Sequence, residues 1–110
     1  MIMLINLPTT PIEFQEALAV QRVHEPQTDE TEFFQTVLTE IFQRYLDYAE
    51  EGHYDTVKFN GANLEVVGVT GKVSNVIKPS GESFLADFNT DADKLLTLLE
   101  DQAGNIAMQQ

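Results

Sequence analysis

The side chains able to do chemistry are few, and most of them are carboxylates. The chain has 18 Asp plus Glu against 6 Lys plus Arg, two histidines and no cysteine. A nucleophilic triad needs a nucleophile, a base and an orienting acid. The nucleophiles on offer are Ser74, Ser80, Ser83 and the threonines. The bases are His24 and His53, each beside an expected helix end, where a solvated or capping role is the commoner one. No Gly-x-Ser-x-Gly elbow occurs. Without cysteine there is no disulfide and no thiolate metal site, and two distant histidines leave only a carboxylate site for a hard cation. Thr28 to Glu32 lacks the alternating ligands and central glycine of a calcium loop, and a helix cap explains it. Gly68 to Lys72 has too few residues between its glycines for a phosphate loop and reads as a turn. Paired-carboxylate glycoside chemistry is open in principle, but nothing singles out a pair. The expectation is therefore a protein with no catalytic residues, no cofactor and no metal.

Charge is the main departure from an average composition. The net charge of -12 repels phosphate backbones and anionic membranes and attracts basic surfaces, although solubility alone would also explain it. The six cations, Arg22, Arg44, Lys58, Lys72, Lys78 and Lys94, are scattered singly, which disfavours direct nucleic-acid binding. Met1 to Leu7 is apolar except for Asn6 but has neither the basic start nor the cleavage site of a signal peptide. No apolar run approaches the ~20 residues a membrane helix needs. The expected setting is the cytoplasm.

A chain of 110 residues with 43% hydrophobic residues, seven Phe and three Tyr suits one domain, 1–110, with one core. Thr10-Pro11-Ile12-Glu13 reads as a capped helix start. The apolar residues after it are ambiguous, because Phe14, Ala17 and Leu18 share a helical face while Ile12, Val20 and Val23 point elsewhere. A helix from Pro11 to Val20 is favoured over a strand. The next segment is clear: Asp29 caps, and Phe33, Phe34, Val37, Leu38, Ile41, Phe42, Tyr45, Tyr48 and Ala49 recur at helical steps toward Gly52, predicting an amphipathic helix from Glu30 to Glu51.

From Tyr54 the composition turns to Val, Thr and Phe punctuated by glycine. Asn60-Gly61 is a hairpin signal between strands at Thr56–Phe59 and Ala62–Val69. Thr70-Gly71 turns into a third strand, Lys72–Lys78, and Pro79-Ser80-Gly81 into a fourth, Ser83–Phe88. A last helix capped by Asn89 or Thr90 carries Ala92, Leu95, Leu96, Leu99 and Ala103, stops at Gly104 and leaves 105–110 as a frayed tail. The expected fold is α+β: an antiparallel four-stranded meander with two N-terminal helices and one C-terminal helix packed on it.

The second helix offers the best binding surface. Glu40, Asp47 and Glu51 lie near one line, with Glu32 and Glu50 beside it, and neighbours sit roughly 5 to 11 Å apart along the axis. Such a row suits a groove lined by Lys and Arg, although an ordinary solvated face looks the same and Arg44 stands four residues from Glu40 for routine pairing. The leading expectation is an acidic inhibitor or immunity-type protein that occludes a basic, nucleic-acid-binding surface of a nuclease, toxin or nucleic-acid-guided complex. The alternatives are an adaptor that forms a homo-oligomer through a surplus apolar edge at Phe33-Phe34 and Tyr45-Tyr48, and a carboxylate-based or metal-dependent enzyme.

Overall fold

The computed structural model describes residues 7–49 and 56–108. The fold is α+β, with helices α1 (Pro11–His24), α2 (Glu30–Ala49), α3 (Phe84–Thr90) and α4 (Ala92–Met108) and strands β1 (Thr56–Asn60), β2 (Asn63–Val67) and β3 (Val73–Ile77). The strands form an antiparallel sheet in the order β1-β2-β3. The meander is therefore correct in its first three strands and wrong in the fourth, because Ser83–Phe88 is helical. Phe84 and Phe88 fit a period of two and a period of 3.6 equally well. Local hydrogen bonds choose the helix. The Ser83 hydroxyl accepts from Ala86 N–H at 3.1 Å, and the Asp87 carboxylate accepts from the N–H groups of Ser80 (2.8 Å) and Gly81 (3.0 Å). Asp87 thus folds the Pro79–Gly81 turn back onto the helix start. A Cβ at Gly81 would lie 2.9 Å from an Asp87 oxygen, so any larger residue there must push the Asp87 carboxylate aside.

The helix starts follow their capping chemistry. Thr10 accepts from Glu13 N–H, and the Glu13 carboxylate accepts from Thr9 N–H at 3.0 Å and from the Thr9 and Thr10 hydroxyls. Asp29 accepts from Glu32 N–H at 2.9 Å, as expected for α2. For α4 the cap is Asp91 rather than Asn89 or Thr90, since Asp91 accepts from Lys94 N–H at 3.1 Å. Two helices outrun their expected ends. α1 continues past Val20 to His24, and α4 passes through Gly104 to Met108 with Ile106 buried, so residues 105–108 are not a frayed tail. A Cβ at Gly104 would meet nothing, so this glycine sits in the helix as a tolerated residue and not as a stop.

The first hairpin is shifted by one residue from its sequence signal. Asn60 pairs with Asn63, so the two loop residues are Gly61 and Ala62. Gly61 has φ +63° and, among the described residues, none other than glycine has positive φ, the sign pattern of a II′ turn. Between β2 and β3 the register slips at Val66/Val67: Asn75 faces Val66 and Val73 faces Val67, leaving Ser74 as a bulge whose hydroxyl donates to the Val66 carbonyl at 3.2 Å.

One sheet face joins the core. Val57, Leu64, Val66 and Ile77 pack into a cluster with Phe14 and Leu18 of α1, the apolar face of α2, Phe84 and Phe88 of α3, and Leu95, Leu96 and Leu99 of α4. The Phe14 ring lies 5.7 and 5.3 Å from those of Phe33 and Phe34, and Phe34 lies 5.2 Å from Phe88, which ties α1, α2 and α3 together. The other sheet face, with Lys58, Glu65, Val67, Val73 and Val76, stands outside this cluster.

Candidate functional site

The polar face of α2 is placed by the burial of its opposite side. Because Phe33, Phe34, Val37, Leu38, Ile41, Phe42 and Leu46 are all buried, residues 32 and 36 face outward, and residue 40, one turn on, lies partly buried at the edge of the same face. Glu32 and Glu40 are eight residues apart, about 12 Å along the axis. Together with Thr36 they form a ridge between two open depressions. One, of about 1030 Å³, runs between α2 and the loop after α1 and is also lined by Gln21, His24, Glu25 and Asp29. The other, of about 480 Å³, lies toward the sheet and is also lined by Gln35, Thr39, Gln43 and Phe59.

The loop that walls the larger depression is fixed by its own hydrogen bonds. The Thr28 hydroxyl donates to the Glu25 carbonyl at 2.7 Å, and the Arg22 guanidinium donates to the Thr28 carbonyl at 3.2 Å. Arg22 is thereby held against a backbone carbonyl. The Gln15 amide donates to Glu30 at 2.7 Å, and the Gln21 amide to Glu25 at 3.2 Å. The Glu32 N–H donates to Asp29 and the Glu32 carbonyl accepts from the Thr36 hydroxyl, which leaves the exposed Glu32 side chain turned to solvent, while Glu40 is partly buried on the same line. Two carboxylates at the rims of two concavities can accept hydrogen bonds from Lys or Arg.

The five residues singled out in the sequence fare differently. Glu32 and Glu40 come together on the ridge. Asp47 is exposed farther along α2 and lines neither depression. Glu50 and Glu51, with the expected α2 end near them, lie outside the described residues. The apolar edge expected at both ends of α2 is largely absorbed: Phe33 and Phe34 are core residues, Tyr45 is half-buried, and Tyr48 alone stands exposed. Burial, with a smaller contribution from the charge of Glu100, raises the Tyr45 hydroxyl above its ordinary pKa of 10.0.

No protein-family model matches the chain, and neither a curated protein nor a solved structure resembles it at a significant level. The site must be read from its own chemistry.

Sequence reasoning missed the contribution of the α1–α2 loop. Asp29 was read only as a cap, and Glu25 was not singled out. His24, Glu25 and Asp29 reach the α2 face because α1 runs one turn longer than its apolar pattern implies. Among the described residues no three His, Asp or Glu side chains converge as metal ligands, and no described helix is long and apolar enough to cross a membrane.

Proposed function

We propose that this chain is a non-catalytic, cytoplasmic acidic inhibitor or immunity-type protein. It occludes a basic, nucleic-acid-binding surface on a partner protein such as a nuclease, a toxin or a nucleic-acid-guided defence complex. The observation that supports this reading is the ridge of Glu32 and Glu40, two carboxylates set between depressions, with Glu25 and Asp29 on the facing wall. Such a ridge presents negative charge at fixed spacing to a cationic groove, the task a nucleic-acid backbone otherwise performs. Long-range attraction speeds encounter and makes it salt-sensitive, and the carboxylates on the ridge set the register.

The test is capture by the immobilised chain from its native cell at low and high salt, followed by identification of what is retained. A basic protein held at low salt, released at high salt, lost to Glu32→Lys with Glu40→Lys, and unable to bind nucleic acid while captured, is the expected result. Retention indifferent to salt and to both substitutions contradicts the reading.

A further inference from the structure

The Asn60-Gly61 pair at the first hairpin has a chemistry of its own, apart from the acidic ridge. Asn60 is the last residue of β1 and Gly61 the first of the loop, and both are exposed together with Ala62. The pair Asn60↔Asn63 closes the ladder, so the Gly61 N–H stands outside it. Nothing crowds that nitrogen: Gly61 has φ +63°, and a Cβ built there would have nothing within 4 Å. The other asparagines, Asn6, Asn63, Asn75, Asn89 and Asn105, are followed by Leu, Leu, Val, Thr and Ile, whose side chains shield the next backbone nitrogen.

The Asn60 carboxamide also has a defined neighbour. Its Nδ2 donates to Oε2 of Glu65 at 3.1 Å, and Glu65 is only 9% exposed. Lys58 lies directly across from Glu65 in the register, with Asn60 diagonal to it, so the three share the outer sheet face. The amide is a neutral donor set against a buried carboxylate.

We infer that Asn60 is a site of spontaneous deamidation in the folded chain, and that the acid formed there loosens the hairpin by facing Glu65. The Gly61 nitrogen gives its proton to solvent base and attacks Asn60 Cγ. The Cγ–Nδ2 bond breaks, the leaving nitrogen takes up a proton, and ammonia departs from a cyclic imide. Water then opens the imide at either carbonyl carbon. One product is aspartate. The other is isoaspartate, in which the main chain runs through the former side chain and the Asn60↔Asn63 register is displaced. Nothing is oxidised or reduced, and water is the only co-reactant. Ring closure requires the amide to leave Glu65, a single hydrogen bond at the exposed end of the sheet, where local opening is easiest. Once the amide is gone, two carboxylates face each other across the span of that former bond. One of them is buried, and Lys58 is the cation nearest in register.

Mass spectrometry of the intact, folded chain held at mildly alkaline pH tests the site. Cleavage after Lys58 and Lys72 leaves one peptide, 59–72, that holds both Asn60 and Asn63, so the second is a control in the same spectrum. Asn60 should gain the mass of an amide turned into an acid several-fold faster than Asn63, and appear as two chromatographic products. Asn60→Gln should abolish the change, because its longer side chain closes the ring slowly. Conversion at Asn60 no faster than at Asn63 overturns the site. Hydrogen exchange tests the consequence. Asn60→Asp should lose more amide protection at Leu64 and Glu65 than Asn60→Ala, which drops the donor without adding a charge. Glu65→Gln added to Asn60→Asp should restore that protection. If Asn60→Asp fails to fold, the double variant still reports, by regaining the wild-type circular dichroism. Equal protection in the two single variants, or no rescue by Glu65→Gln, overturns the consequence.

Discussion

The helices and the sheet divide the charge unequally. Sixteen of the residues described in α1, α2 and their connecting loop are polar or charged groups turned outward around Phe14, Leu18 and the α2 core; the acids among them include Glu13, Glu16, Glu25, Asp29, Glu30, Glu32, Glu40 and Asp47.

 The sixteen are the Asp, Glu, Gln, Arg and His side chains of this segment, none of them buried, and only Arg22 and Arg44 among them carry a fixed positive charge. The sheet from Thr56 to Ile77 instead carries Lys58 and Lys72 against the single acid Glu65, whose carboxylate is buried beside the Asn60 amide at 3.1 Å. The difference teaches that the negative charge of this chain sits outside its sheet. A ligand sensing only total charge would treat all sides alike; one sensing the surface would find an acidic side and a weakly basic one.

The comparison breaks most severely where the two regions share a core. Phe34→Ala removes a buried ring packed on Phe14 and Phe88, and should lower the unfolding free energy by about 3–5 kcal/mol in urea denaturation. A loss below ~1 kcal/mol would mean that this cluster does not hold α1 and α3 to α2. Next in size is the Asp87 clamp. Asp87→Asn weakens the bonds from Ser80 and Gly81 N–H and should cost about 1–3 kcal/mol, with Gly81→Ala also destabilising because its Cβ meets the same carboxylate. An unchanged melting curve for both variants would remove the reason given for helix over strand at 84–90.

A smaller effect sharpens the comparison at the acidic end. Hydrogen bonds from Thr9 N–H, and then from the Thr9 and Thr10 hydroxyls, hold the Glu13 carboxyl below its ordinary value of 4.5. A lowered carboxyl pKa stabilises the folded state above 4.5, and the contribution disappears as pH falls through the lowered value. Glu13→Gln should therefore flatten the stability profile below pH 4.5 and leave the sheet's amide protection unchanged, as read by hydrogen exchange. The Tyr45 hydroxyl acts at the other extreme. Its raised pKa favours the folded state below pH 10.0, and that contribution is lost as pH climbs toward the raised value, so Tyr45→Phe should blunt the alkaline fall in stability.

Much of this arrangement is legible in the sequence where one pattern has one reading. The apolar steps of α2, the Thr10 and Asp29 caps and the glycine turns all satisfy a single period or a single backbone requirement. Legibility fails where a pattern serves two structures. Phe84 and Phe88 suit both strand and helix, and their fate is set by Asp87 reaching back to Ser80 and Gly81. The end of α1 was obscured because Val20 and Val23 are apolar yet exposed, so a search for a buried stripe stops too soon. At the candidate site, a helical wheel shows that Glu32 and Glu40 face outward, but it cannot show that the α1–α2 loop rises beside them. That depends on how Phe14 and Leu18 seat α1 against α2.

The central claim is that position, more than total charge, makes the acids of α2 a binding surface. The most direct measurement compares two charge-matched double variants for binding to an oligo-arginine peptide at low salt. One is Glu32→Gln with Glu40→Gln; the other is Glu82→Gln with Asp101→Asn, both exposed and off the ridge. The ridge variant should lose several-fold more affinity than the control, with near-wild-type stability in both. Equal losses would contradict the claim and leave the negative charge as a property of the whole molecule alone.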